Sequence, residues 1–395
     1  MRTEQQSRLA DQAQQTPRVQ GSLGALAWAH FLNDGYANYL PGVLPVLLAE
    51  LSIPLSLVGS LTLALSGLGS LLQPLMGWWA DRRGGHRFVL VGLALTSLGA
   101  GLVGLAPSYW ALLPLLALAG LGNATFHPQA MASARSLARE HHGVTMSVFL
   151  IGGELGRGLW PSIASLIVIW LGLHGLWLVA VPGLLTLLVL YRAAPSLPAK
   201  ATTNPDGVAR GWPVGAVLAL VGFVGLRSLV TYGVATFVPV LWNQQGGSLL
   251  AGASLVTVML VVGIVGNAFG GVLTDVVGRR PVLLASSVLS AAFLGAFVLA
   301  SGLWLWVALG LLGIAAFMTS PVTLLIGQDL FPHNRSMASG IALGVGNAVG
   351  SVIVFGLGFV AANYGIPTAL WWVAGASLLG LPLALTLPER GRTTA

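Results

Sequence analysis

Six ionisable residues lie inside long apolar runs, where charge is costly: His30, Asp34, His127, Glu154, Arg157 and Arg227. One charged side chain at the centre of a bilayer costs on the order of 3 kcal/mol on insertion scales, so the four formal charges would cost about 12 kcal/mol facing lipid. They must face a cavity or one another. His30 and Asp34 are four residues apart and Glu154 and Arg157 three, so each pair shares a helical face. Arginine offers a planar fork that stays charged, and two guanidiniums at one depth suit a carboxylate, phosphate or phosphonate. Asp34 and Glu154, in a low-dielectric cavity, are suited to binding and releasing a proton, with His30 and His127 tuning or relaying it. Plainer alternatives stand beside these. Glu154 and Arg157 could be a structural ion pair and His30 a hydrogen-bonded packing residue. His127, directly before Pro128, could be a kink residue whose ring fills freed backbone valences.

The elements that must position these groups are membrane helices. Hydrophobic residues make up 55% of the chain and charged residues 7%, against roughly 25% charged in a soluble domain. Twelve apolar stretches long enough to cross about 30 Å of hydrocarbon are expected near 22–49, 55–79, 88–106, 109–134, 143–170, 173–193, 213–242, 249–274, 281–301, 303–328, 336–362 and 366–387. Sixteen of the eighteen Lys and Arg fall in the two tails and the even-numbered turns, which by the positive-inside rule makes both termini cytoplasmic. The net charge of +7 is therefore topology, with anionic lipid contact as a side effect and no call for nucleic acid. There is no cysteine, hence no disulfide or thiol chemistry. The polar start is too long and glutamine-rich for a signal peptide.

The chain repeats itself. Gly77, Asp81 and Gly84 recur as Gly271, Asp275 and Gly278, each 194 residues on, and each turn carries a pair of arginines, Arg82 and Arg83 in the first and Arg279 and Arg280 in the second. The same offset matches Pro45-Val46-Leu47 to Pro239-Val240-Leu241 and Gly152 and Gly156 to Gly346 and Gly350, which marks two parallel repeats. The organisation that follows is a disordered cytoplasmic tail at 1–20, a six-helix bundle at 21–193, a cytoplasmic linker at 194–212 rich in Pro, Ala and Thr, a second bundle at 213–388 and a tail at 389–395. Counting 1.5 Å per residue from the basic end of each helix puts Asp34, Arg157 and Arg227 about 14 residues, or roughly 20 Å, inside. The offset also sets Arg227 opposite Asn33, the neighbour of Asp34.

Twelve spans in two halves, each with Gly-x-x-x-Asp-x-x-Gly between its second and third spans, resemble the major facilitator superfamily along essentially the whole chain. Leu71-Leu72-Gln73-Pro74, Phe126-His127-Pro128 and Gln328-Asp329-Leu330-Phe331-Pro332 are similar to its fosmidomycin-resistance branch of efflux proteins. The resemblance implies an all-α membrane protein: twelve transmembrane helices in two pseudo-symmetric six-helix bundles, the major facilitator fold. It also implies a central cavity lined by the first, fourth, fifth and seventh spans. The turn residues Gly77, Asp81, Arg82, Arg83, Gly84, Asp275, Gly278, Arg279 and Arg280, with Asp329, would form a cytoplasmic latch that stabilises the outward-facing state. The first copy departs from the pattern with Gly85 and His86 where Arg or Lys is usual, which weakens the implied latch there. Gly158-Leu159-Trp160-Pro161 stands where many proton antiporters carry a glycine motif ending in Gly-Pro, so no argument for export rests on it.

The function expected is secondary active transport in the cytoplasmic membrane, as a proton antiporter exporting a small amphiphilic or anionic compound, drugs included. Asp34, Glu154 and His30 would couple protons, while Arg157, Arg227, His127, Asn33, Tyr36, Phe126, Tyr232 and Trp160 would contact substrate. Clustered glycines on the fifth, eighth and eleventh spans would give flat interfaces on which the halves rock. An importer of an organic acid with the same residues and a lipid or lysolipid flippase remain open. No metal-ligand cluster, nucleophile triad or phosphate-binding glycine loop points to an enzyme, and no cofactor or ATPase subunit is expected. The working unit is expected to be a monomer.

Overall fold

The computed structural model describes residues 22–83, 85–137, 142–193, 214–330 and 344–389. The expected tail at 1–20, the linker at 194–212, most of the tail at 389–395 and Gly84 lie outside them, as do the side chains of Asp81 and Arg83. Every described element is helical: α1 (residues 22–36), α2 (Leu55–Ala80), α3 (Arg87–Leu105), α4 (Tyr109–Leu137), α5 (His142–Leu171), α6 (Leu173–Arg192), α7 (Val214–Gln244), α8 (Leu249–Val277), α9 (Arg279–Leu299), α10 (Trp304–Leu330), α11 (Gly346–Tyr364) and α12 (Ile366–Thr386). Ten of these, all but α1 and α5, are helices long and apolar enough to cross a membrane. α1 and α5 stand where the first and fifth spans were expected.

Several helices depart from regularity, among them α1, α2 and α10. The first expected span is not continuous: α1 ends at Tyr36, and the chain resumes as a 3-10 turn at Leu40–Gly42 and a short helix at Leu44–Glu50. Pro41 and Pro45 supply no backbone amide to the preceding turn, which weakens the helix there. The Asn38 side chain donates to the Asp34 carbonyl at 2.8 Å, occupying an acceptor that the break exposes. α2 contains a π-turn at Leu63–Gly67, and α10 pauses at Met318 and Thr319 before Ser320. Irregular backbone at membrane depth is tolerated where it lines a cavity rather than lipid.

Each half packs as its own bundle, with α3 and α2 against α4 in the first and α8 against α10 and α7 against α11 in the second. The halves also touch, α5 against α8 and α2 against α11. Hydrogen bonds between them at the end remote from the charged turns include Thr62 to Thr236 at 2.7 Å and Ser162 to Thr257 at 2.8 Å. There α2 and α11 meet backbone to backbone: a methyl added at Gly59 would run into the Val354 carbonyl and the Phe355 Cα, and one at Gly358 into the Ser56 carbonyl.

The glycine clusters act differently from expectation. Gly152, Gly153 and Gly156 of α5 seat α1 of their own half, Gly263, Gly266 and Gly270 of α8 seat α10, and Gly346 and Gly350 seat α7. They draw helices together within a half, because close backbone approach locks a pair rather than letting it slide. Two members do face the other half, Gly158 of α5 against Val261 of α8 and Gly344, just before α11, against the Ser70 carbonyl of α2.

Candidate functional site

Asp34 sits on the last turn of α1, 4% exposed, and polar groups converge on it from three helices. Its Oδ2 lies 3.4 Å from His30 Nε2 one turn earlier, and its Oδ1 lies 3.0 Å from His127 Nε2 on α4. The buried Asn33 amide donates to Oδ1 at 3.4 Å and is itself oriented by the Thr96 hydroxyl, which donates to its oxygen at 2.9 Å. The His30 ring stacks on Phe149 with centroids 4.1 Å apart, and a methyl on Gly153 would strike it, so α5 must carry glycine there.

The other nitrogens of both histidines decide where hydrogens sit. His30 Nδ1 lies 2.8 Å from the Phe149 carbonyl and His127 Nδ1 lies 3.0 Å from the Asn123 carbonyl. A carbonyl only accepts, so each Nδ1 carries the hydrogen and donates it. Each Nε2 then faces the carboxylate with a lone pair unless a further hydrogen lies between. Lone pair against lone pair at 3.0 Å repels, so the His127–Asp34 contact requires a hydrogen, held by the imidazole or by the acid. For His127 the two readings of the sequence coincide: its ring fills a backbone valence four residues back and still presents Nε2 to Asp34.

Two arginine clusters adjoin this triad. Arg157 Nη2 lies 3.2 Å from Glu154 Oε1 and 3.9 Å from Asp34 Oδ2, so this guanidinium stands between two carboxylates. Glu154 Oε1 also accepts from Asn267 of α8 at 3.3 Å, a bond between the halves. Arg227 of α7 donates from Nη1 to the Ser320 hydroxyl on α10 and from Nη2 to Asn347 Oδ1 on α11 at 3.4 Å. The Ser228 hydroxyl donates to the same Asn347 oxygen.

A cavity of roughly 200 Å³ lies between the halves, with Thr62 and Thr236 in its far wall. Of the residues expected at the site, Asp34, His127, Arg157, Arg227 and Tyr232 line it. His30, Asn33 and Glu154 stand one contact behind, through Asp34 and Arg157. Tyr36, Phe126 and Trp160 do not line the cavity, which corrects their expected role. Tyr36 and Phe126 are fully buried and Trp160 is 4% exposed, with Tyr36 and Trp160 packed edge to face at 4.8 Å. Large aromatic surfaces are drawn into the first half's core. Sequence reasoning missed the neutral polar residues Asn123, Asn267, Ser228, Ser320 and Asn347. One signal was present: the 194-residue offset pairs Asn267 with Gln73, another amide, which lines the cavity.

The expectation of no metal-type donor set also needs correction. One ligand atom each from His30, Asp34 and His127 falls within 4.8 Å of the others, a grouping assembled from two helices that spacing alone does not reveal. The Arg157 guanidinium near the same carboxylate opposes a further cation there. At the turns, Arg279 pairs with Asp329 at 2.7 Å and Arg280 with Glu389 at 3.6 Å, both pairs within the second half, and Arg82 lies over the Trp78 ring at 3.7 Å. Gly77 faces Pro128 across a gap a methyl would fill, and Gly278, at φ 91° and ψ 168°, joins α8 to α9.

An all-helical, two-half membrane protein with a central polar cavity defines a class of solute carrier. The family model described as Major Facilitator Superfamily matches residues 26–244 and 218–395, and the chain belongs to that family. It is therefore a multi-pass membrane transporter and not an enzyme. It is 28% identical over 380 residues, 93% of each chain, to the fosmidomycin resistance protein of Escherichia coli strain K12. It is 27% identical over 373 residues, 91% of each chain, to an uncharacterised MFS-type transporter, YfnC, of Bacillus subtilis strain 168. Among solved structures it is similar to a bacterial homologue of the human lysosomal transporter Spinster, in an inward-facing and unoccupied conformation, with a TM-score of 0.73 at 16% identity over 93% of this chain and 95% of that one.

Proposed function

We propose that this chain is a monomeric twelve-span carrier of the cytoplasmic membrane, termini inside, that exports a small amphiphilic or anionic compound in exchange for protons. The observation that carries the reading is the contact of His127 Nε2 with Asp34 Oδ1 at 3.0 Å, with Nδ1 already committed to a carbonyl. A group that needs a hydrogen to be stable, at the edge of a cavity that reaches both halves, is suited to take up a proton on one side and release it on the other. Arg157, between Glu154 and Asp34, responds to the charge of both. Asn267 ties Glu154 to the second half, so a change at Asp34 has a path to the interface between halves. The name of the Escherichia coli relative, a fosmidomycin resistance protein, supports a drug among the solutes. Contacts between halves at the end away from the charged turns support an inward-open form.

The test is transport in proteoliposomes under an imposed proton gradient, with fosmidomycin as the first solute. Asp34→Asn with Glu154→Gln is expected to abolish gradient-driven accumulation while leaving some exchange. Undiminished driven transport in the double variant would sink the coupling assignment.

A further inference from the structure

We infer that the second half contains a seat for a single oxyanion, formed by Arg227, Asn347 and Ser320, and that Arg157 is not part of it. This rests on the transport reading and narrows it: the solute carries a carboxylate, phosphonate or comparable anionic group, and that group binds α7, α10 and α11. The two arginines of the cavity differ in their company. Arg157 has Glu154 at 3.2 Å and Asp34 at 3.9 Å. Arg227 has only neutral acceptors, the Ser320 hydroxyl and the Asn347 amide oxygen, and among the described residues no carboxylate lies within ion-pair distance of it. A partly buried guanidinium without a counter-charge is stable only with water or an anion beside it.

Asn347 adds direction. Arginine cannot accept a hydrogen bond, so the Asn347 atom facing Arg227 must be the oxygen, and Ser228 donates to that same oxygen. Both amide hydrogens of Asn347 are thereby left for other acceptors, on a residue that lines the cavity together with Arg227 and Ser320. Arg227 and the Asn347 amide group together present charged and neutral N–H donors, the combination that binds an oxyanion. The Ser320 hydroxyl, at the break in α10, holds the guanidinium in place.

Charge agrees with an anion. Asp34 and Glu154 against Arg157 and Arg227 sum to zero, and the hydrogen that the His127–Asp34 contact requires adds positive charge. A monoanion at Arg227 offsets it. Proton and anion then occupy opposite walls, the proton on the first half and the anion on the second, so one solute can span the gap that alternating access opens and closes.

The experiment uses purified full-length protein and matched probes: benzoate and phenylphosphonate against methyl benzoate and benzamide, scored by ligand-induced thermal stabilisation. The anions are expected to stabilise the wild type and their neutral counterparts not. Arg227→Gln should weaken anion binding by about ten- to a hundredfold, the loss of one charge-assisted contact, while Arg157→Gln changes it far less. If Arg227→Gln does not fold, Arg227→Lys and Asn347→Leu serve: the lysine keeps charge without the fork and should retain part of the affinity, and the leucine should lose the preference for anions over esters. Equal binding of ester and acid, no anion binding at all, or an anion response lost in Arg157→Gln but kept in Arg227→Gln overturns the seat. Gradient-driven transport of neutral solutes would then leave the carrier reading intact, whereas failure of every solute, charged or neutral, to be driven would overturn the carrier reading itself.

Discussion

His127 on α4 reaches across to Asp34 on α1 and sets its Nε2 3.0 Å from the carboxylate while its Nδ1 bonds the Asn123 carbonyl of its own helix. The two residues are 93 positions apart and meet only because α1 and α4 pack in one bundle. The ring is held from behind, and its free edge is aimed at an acid.

His127→Asn offers a hydrogen-bonding side chain without a ring nitrogen of histidine basicity. Gradient-driven flux is expected to fall at least about tenfold, the scale of one general acid-base group, with solute exchange retained. Flux measured with and without a proton gradient checks it. His127→Ala should lose the gradient-driven component in the same way, because it removes both ring nitrogens.

Asn267→Ala removes a bond between the halves at Glu154, 3.3 Å long, without touching a charge. Removal of a single neutral donor to a charged acceptor costs about 1–3 kcal/mol. The variant should transport with altered rate and unaltered proton stoichiometry. A changed stoichiometry, read from paired proton and solute fluxes, would place Asn267 in the coupling step instead.

Gly59→Val inserts a side chain where α2 and α11 touch backbone to backbone. Overpacking a tight contact costs typically about 1–3 kcal/mol, here paid only while the far end is closed. The chain has no cysteine, so a single Thr62→Cys serves as reporter. Its labelling by a membrane-impermeant thiol reagent should rise in the Gly59→Val background, and the melting temperature in detergent should fall.

Gly278→Ala meets a backbone constraint rather than a packing one. The φ of 91° with ψ of 168° is a region essentially restricted to glycine, so alanine should cost about 1–3 kcal/mol. Gly271→Ala on the same turn motif has open space, with Pro321 Cβ 4.0 Å away, and should be close to neutral. Thermal denaturation of the two variants side by side distinguishes conformational need from mere repetition of a motif.

Much of this was readable in one dimension. The apolar runs and the 194-residue offset place the helices that the structure contains, since membrane helices are dictated by length and hydropathy almost independently of tertiary context. The i, i+4 spacing of His30 and Asp34 and the i, i+3 spacing of Glu154 and Arg157 put each pair in contact, as local helical geometry requires. Tyr36, Phe126 and Trp160 went the other way, because hydropathy gives an aromatic side chain a depth but not a direction. The breaks after Tyr36 and at Met318 precede Pro41 and Pro321, helix breakers that a reading by hydropathy passes over.

What the sequence determined alone, then, was the membrane class, the duplication and the short list of buried charges, all consequences of the cost of polarity in hydrocarbon. Tertiary structure decided which charges meet. It set His127 beside Asp34, gave Arg157 two carboxylates and, among the described residues, left Arg227 with amide and hydroxyl partners. Those pairings depend on how helices far apart in the chain rotate and cross, and helix rotation is fixed by packing between neighbours, which no single segment encodes.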